Sequence, residues 1–274
     1  MQYAVALPTG GECGDPTFLL ELAELAEHTG WDGVFLEDYI CYQGDPANPT
    51  CDPWAALAAI AVRTSKVILA VEVVALTRRR PWKVAREAVT IDRLSGGRLV
   101  LGVGIGDQGD PGYTHFGEEV DTHVRAELLD EGLAILDGLL RGEPFSFQGK
   151  HFRIDEVRFL PKPAQEPRIP IWIGGGYPNP RAIERALRWD GSCMYRRAGG
   201  PLRGDDVRDL AQRAGDRPWT QAVGGWLRRD ELDDELAHRR EVAEAGADWW
   251  VEWIEPADRQ MMRAAVERGP LRVD

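Results

Sequence analysis

Long apolar runs are missing from this chain. The longest, Trp54 to Val62, falls far short of the ~20 residues that cross a bilayer. The first residues pass directly into the short apolar run Tyr3 to Leu7 with no basic leader region, so no secretory signal is expected and a cytoplasmic location is the expectation. Cysteine is scarce and unpatterned. Cys13, Cys41, Cys51 and Cys193 form neither a C-x-x-C pair nor a dense framework, which excludes a disulfide scaffold; Cys41 and Cys51 could pair, but free thiols are the default. Basic clusters are nearly absent as well: 45 acids face 33 Lys plus Arg for a formal net charge of −12, and Arg78-Arg79-Arg80 is the one tight basic run. That balance argues against a nucleic-acid partner. His115, His123 and His151 lack any spacing with carboxylates or cysteines that would make a metal site. No metal is expected, and His28 and His238 read as solvated residues on polar helix faces.

What is present is a regular alternation. The 274 residues are 43% hydrophobic and 28% charged, near globular averages. Tyr3 to Leu7 reads as a strand; Asp15-Pro16 then offers an N-cap and a first helical residue, with Leu19, Leu22, Ala23 and Ala26 on one stripe and Gly30 as the stop. Gly33 to Glu37 is a second strand, and Asp52-Pro53 repeats the cap signal before an Ala-rich helix ending near Thr64. Lys66 to Val74 and Leu99 to Val103 are third and fourth strands, nearly continuous in apolar residues except for Glu72, as strands buried on both faces should be. A helix between them opens at Pro81 and stops at Ser95-Gly96-Gly97, and another runs from about Asp121 to Leu140. Residues 143–165 break the rhythm with a small hairpin and Pro161 and Pro163, an insertion and not a boundary because the alternation resumes at once. Strands at Ile169 to Ile173, Ser192 to Tyr195, Thr220 to Leu227 and Ala247 to Ile254 follow, each with a helical segment after it.

Eight strand–helix pairs without a second compositional regime predict one domain over residues 1–274, a closed (β/α)8 TIM barrel. In such a barrel the loops after the strands share one rim, where chemistry belongs. On that rim lies Ile173-Gly174-Gly175-Gly176-Tyr177-Pro178, a strand leading through glycines to a helix start. Two readings stand side by side: an anion site made by bare backbone N–H groups, or a tight turn whose glycines supply positive φ.

The segment Pro81-Trp-Lys-Val-Ala-Arg-Glu-Ala-Val-Thr-Ile-Asp-Arg-Leu-Ser-Gly-Gly-Arg-Leu-Val-Leu-Gly-Val-Gly-Ile-Gly resembles the central signature of the bacterial luciferase-like monooxygenase superfamily, as do Ile171-Trp-Ile-Gly-Gly-Gly and Ala245-Gly-Ala-Asp-Trp-Trp. The likeness covers essentially the whole chain. It implies a TIM barrel, commonly dimeric, that uses reduced FMN or the deazaflavin F420. By the same resemblance Gly174, Gly175, Gly176 and Tyr177 match the segment that holds the cofactor phosphate. Glu72-Val73 matches a bulge behind the ring, often with a cis peptide between non-proline residues. Glu37 and Asp38 match the second-strand end that faces the ring, and Gly104 and Asp107 the loop after the fourth strand. Where many F420-using relatives place a His, this chain has Tyr39, which weakens transfer of their hydride-transfer machinery. Tyr39, Glu72 and Asp107 are the candidate catalytic residues. Simpler roles compete: Glu72 salt-bridged to an arginine inside the barrel, Asp107 capping the next turn, Arg125 as a structural ion-pair member.

The expected function is a monooxygenase using reduced FMN and dioxygen on a small organic substrate, supplied by a separate flavin reductase. The alternatives are an F420-dependent reductase or dehydrogenase with no oxygen chemistry, and a flavin-binding protein without turnover.

Overall fold

The computed structural model describes residues 1–107 and 109–273. Strand β1 (Gln2–Leu7) leads to helix α1 (Pro16–His28), β2 (Gly33–Leu36) to α2 (Pro53–Arg63), β3 (Ile68–Ala75) to α3 (Pro81–Ser95), and β4 (Leu99–Gly104) to the short α4 (Pro111–Thr114) and the long α5 (Thr122–Leu140). After the hairpin of β5 (Pro144–Gln148) and β6 (Arg153–Arg158), the alternation resumes with β7 (Ile171–Tyr177), α6 (Pro180–Ala186), β8 (Gly191–Arg196) and α7 (Gly204–Ala214). It closes with β9 (Thr220–Trp226), α8 (Leu232–Glu244), β10 (Trp249–Trp253) and α9 (Arg259–Glu267). No helix among the described residues is long and apolar enough to cross a membrane.

Short-range chemistry starts the helices. Asp15 and Asp52 accept hydrogen bonds from Thr17 N at 3.0 Å and Ala55 N at 2.8 Å, and Pro16 and Pro53 take the first helical positions, where a missing N–H costs nothing. The strands of the eight pairs form a closed parallel barrel in the order β1-β10-β9-β8-β7-β4-β3-β2, while β5 and β6 pair antiparallel outside it. Two apolar layers follow from this closure. The outer one packs helix residues such as Leu22, Ile60, Val84 and Leu133 against outward-facing strand residues such as Val5, Val34 and Leu101, each fully buried aliphatic side chain contributing roughly 1.5–3 kcal/mol. The inner one fills the barrel with Ala4, Ala6, Phe35, Ala70, Trp172, Trp249 and their neighbours.

Two irregularities shape the end of the barrel where the site lies. Between β3 and β4 the register runs Val71 opposite Leu101 and then Val74 opposite Val103, so β3 carries one extra residue there. The Glu72–Val73 peptide in this bulge is cis. The second irregularity corrects the expected glycine loop: β7 continues through Tyr177, with Gly174, Gly175 and Gly176 paired to Cys193, Met194 and Tyr195 of β8. Their φ angles are not positive; glycine is required here for close approach. A Cβ on Gly174 would lie 2.5 Å from Val73 Cγ1, and one on Gly104 would lie 2.9 Å from Val73 Cγ2. Val73 is thus seated between two bare strands. On its other edge β7 pairs with β4 only as far as Ile173, so the glycine stretch is open on that side.

Candidate active site

Side-chain alternation along a barrel strand has period two, so a residue two positions beyond an interior residue also faces inward. The interior floor is aromatic: Phe35 meets Trp172 edge-on at 6.1 Å and Trp249 at 5.6 Å between ring centroids. Two residues nearer the C-terminal rim, Phe35 is followed by Glu37, Ala70 by Glu72, Trp172 by Gly174, and Val251 by Trp253. Glycines and two carboxyls therefore line the mouth above an aromatic plug.

Both carboxyls are perturbed. Burial pushes Glu37 up to about 7, against the opposing influence of Tyr42 and Trp253. These two groups approach Glu37, yet neither the Tyr42 hydroxyl nor the Trp253 indole N–H meets hydrogen-bond geometry, and Glu37 Oε2 is buried without a partner. Burial likewise pushes Glu72 up to about 7; the Cys193 thiol opposes the rise and the Glu37 charge adds to it. Although Glu72 keeps part of its surface open to the mouth, its Oε2 is buried and unpartnered. No arginine among the described residues pairs with it, so the salt-bridge reading is overturned: interior positions of the neighbouring strands carry Ala, Cys and aromatic residues, and the arginines lie on the rim or outside. Each carboxyl's folded value lies above its ordinary 4.5, so its contribution to stability is fully present below about 4.5 and is lost as pH rises through about 7. The thermal midpoint should therefore fall between about pH 5 and pH 8, and Glu72→Gln should flatten that slope and raise the midpoint at about pH 8. Calorimetry across that range checks it; an unchanged slope would mean Glu72 titrates as an ordinary exposed acid.

Asp38 faces differently. Its buried carboxylate takes Arg79 Nε at 2.9 Å and Nη2 at 2.5 Å and the Ala75 N–H at 3.1 Å, a forked pair that ties the end of β2 to the loop after β3. Arg78 bonds the Asp38 carbonyl and Asp110 Oδ2. The loop after β4 is held in turn by Arg125, which donates to the Ile105 carbonyl at 2.6 Å and lies over the Tyr113 ring at 3.9 Å. Arg125 is thus a clamp on backbone carbonyls and not an ion-pair member. Gly106, with φ of +80° and a would-be Cβ 2.0 Å from the Tyr113 hydroxyl, admits only glycine. Asp107 is exposed and accepts from Gly109 N at 3.0 Å, a local turn bond.

Tyr39 stands at the mouth with its ring edge-on to Tyr42 at 5.2 Å; burial, then the charges of Glu37 and Asp107, pushes its hydroxyl up to about 12. It is a hydrogen-bond donor at neutral pH. Tyr177 is turned away and bonds Asp209 at 3.1 Å, while a Cβ on Gly176 would meet Arg197 Cγ at 2.5 Å. The structure therefore brings Glu37, Tyr39, Glu72, Val73, Gly104 and Gly174 together around the mouth. Asp38, Asp107 and the Tyr177 hydroxyl have other partners. Sequence reasoning missed Trp253, Arg78 and Arg79 as site residues, while Tyr42 falls in the aromatic loop Tyr39 to Tyr42 that it expected to cover the substrate. Trp253 could have been found from its place on the inward face of β10; the arginines stood out only as a basic run.

Elsewhere, His238 corrects the expectation of a solvated residue: it packs against the Trp250 ring at 5.5 Å, and burial lowers its pKa. All four cysteines are free. A cavity of about 640 Å³ is lined by Gly11, Glu12, Pro49, Pro256 and Arg259 among others. It lies beside the mouth, between the turn after β1 and the start of α9. The mouth is the stronger candidate because unpartnered buried polar atoms converge there. Among the described residues no group of three His, Cys, Asp or Glu could hold a metal ion.

A closed (β/α)8 barrel with its reactive groups at the C-terminal mouth is the class defined by this fold and site. The sequence profile of the luciferase-like monooxygenases matches residues 1–223, and the chain belongs to that family of oxidoreductases. It is 32% identical over 167 residues to an F420-dependent glucose-6-phosphate dehydrogenase of Microbacterium testaceum (strain StLB037), an alignment covering 60% of this chain and 48% of the relative. The chain spans about half the length of the curated relatives it matches. Among solved structures, an F420-dependent secondary alcohol dehydrogenase in complex with an F420-acetone adduct superposes with a TM-score of 0.77 at 17% identity, over 97% of each chain. The monooxygenase RslO1 from Streptomyces bottropensis does so with a TM-score of 0.73 at 22% identity, over 97% of this chain and 96% of that one. At such identities the likeness is one of fold.

Proposed function

We propose that the protein is an F420-dependent dehydrogenase or reductase acting on a small organic molecule. The observation that carries this reading is that two curated relatives, at 32% and 33% identity, are described as F420-dependent. The residues at the mouth fit an elongated cofactor. Gly174 to Gly176 offer a strand edge open toward β4 and free of side chains, where backbone N–H groups can meet a phosphate, and the Val73 bulge gives a flat ring a surface to lie against. When bound, the deazaflavin supplies a two-electron hydride acceptor or donor. The chain's own part is to orient that ring against Val73, to keep water from the mouth with Tyr39, Tyr42 and Trp253, and to hold a proton at Glu37 or Glu72, whose perturbed carboxyls suit proton transfer near neutrality.

The family profile and the RslO1 likeness favour a second reading, a monooxygenase using reduced FMN, which alone would call for a separate flavin reductase. Equilibrium binding of both cofactors distinguishes them. F420 is expected to bind at least tenfold more tightly than FMN, with substrate-dependent loss of the oxidised deazaflavin absorbance and no oxygen uptake. Tighter FMN binding with oxygen uptake would establish the monooxygenase instead, and binding without turnover on any substrate would leave a flavin-binding protein.

A further inference from the structure

Glu37 and Glu72 are neighbours by register. Leu36 pairs with Val71 across β2 and β3, and the next residue on each strand turns inward with Phe35 and Ala70. Both keep a buried Oε2 with no hydrogen-bond partner, and no cationic side chain among the described residues forms an ion pair with either. The arginines that follow β3 are engaged: Arg79 with Asp38 at 2.5 Å and Arg78 with Asp110 at 2.5 Å. Tyr42, fully buried, brings an unpartnered hydroxyl to the Glu37 side, and the Trp253 indole N–H is buried and unpartnered as well. Two acids without a counter-charge thus lie beside aromatic rings at the mouth.

We propose that this pair binds a cationic amine group of the substrate, an alkylammonium seated between the Glu37 and Glu72 carboxylates and bordered by the rings of Tyr39, Tyr42 and Trp253. The proposal rests on the reading of the barrel mouth as the active site and names the substrate class. Burial and mutual repulsion make ionising both adjacent carboxyls costly, and a positive charge entering between them offsets that cost. An ammonium brings that charge and three N–H donors for the unpartnered oxygens, and aromatic faces add cation–π attraction. Anionic groups are disfavoured for the same reason, so a phosphorylated substrate such as that named for the curated relatives would have to keep its phosphate away from the dyad. Other groups around the pair do not supply the charge. Cys193 on β8 and Cys13 after β1 are thiols whose pKa values burial raises; Tyr39 and Tyr42 stay neutral because burial raises theirs; Asp107 acts on Tyr39 as a further negative charge.

The test is calorimetric binding of benzylamine, benzyl alcohol and benzoate to the full chain at about pH 7, where both carboxyls are partly protonated, each in two buffers of different ionisation enthalpy. Benzylamine should bind at least tenfold more tightly than benzyl alcohol, with proton release, and benzoate should not bind. Since both carboxyls sit near about 7, amine affinity should fall as pH drops through that value, while alcohol affinity stays level. Glu37→Gln and Glu72→Gln should each weaken benzylamine about tenfold or more and spare benzyl alcohol. Equal affinity for amine and alcohol, or variants with unchanged amine affinity, would overturn the proposal; if the variants fail to fold, the three-ligand comparison on the wild type decides alone. F420 binding is measured separately by fluorescence. F420 bound without an amine preference sinks only this inference, and an amine preference without F420 binding sinks only the cofactor reading.

Discussion

Replacing Glu252 with glutamine is expected to destabilise the protein by roughly 3–5 kcal/mol, the usual cost of removing one partner from a buried ion pair. Glu252 lies on the outward face of β10 and is fully buried. Its carboxylate takes Arg228 Nε at 3.0 Å, Arg239 Nη2 at 2.8 Å and Arg268 Nη2 at 2.8 Å. Glutamine keeps the shape and loses the charge. Two buried guanidiniums would then rely on Glu235, which reaches Arg239 Nη2 at 2.6 Å but makes no bond to Arg228. The same arginines hold the end of the chain, Arg228 through the Gly269 carbonyl at 2.6 Å and Arg239 through that of Leu271 at 2.8 Å. Urea unfolding should show a lower midpoint with an unchanged slope, and amide exchange should accelerate around residues 269–273. A loss below about 1 kcal/mol would place the network among ion pairs of little net value.

Gly175→Asp should reduce cofactor affinity by at least about 100-fold, or roughly 2.7 kcal/mol, while the barrel stays folded. A Cβ there would lie 2.9 Å from the Ala182 Cβ, so α6 must move to admit any side chain, and the charge of the new carboxylate acts in addition to that shift. The new carboxylate would stand on the glycine stretch proposed to receive a phosphate, and like charges in a partly desolvated site repel strongly. Gly175→Ala separates the two contributions: it keeps the steric change and should cost far less affinity. Fluorescence titration of both variants, with circular dichroism as the folding control, gives the comparison. Equal binding by Gly175→Asp and wild type would remove the phosphate from this edge.

Much of the barrel was legible because its signals are local. Asp15-Pro16 and Asp52-Pro53 cap helices in the folded chain because an aspartate reaches an N–H two or three residues on, whatever the rest of the molecule does. The hairpin in residues 143–165 was legible for the same reason. The candidate site was less so. Gly174 to Gly176 looked like a loop because three glycines break strand patterning, but β8 supplies partners as far as Tyr177, and pairing with a neighbour overrides weak local propensity. His238 looked solvated among charged helix residues until Trp250 packed against it.

From its residues alone, then, the chain determined eight strand–helix units, the period that sets Phe35 and Glu37 on one face, and a family signature around Pro81 to Gly106. Tertiary structure decided what those faces meet. A barrel strand is buried on both sides, so alternation could say that Glu72 and Glu252 each face a buried layer but not that one would meet three arginines and the other none. Charge partners come from elements distant in sequence, and only closure of the barrel brings Asp38 to Arg79 while leaving Glu37 and Glu72 beside each other without a cation.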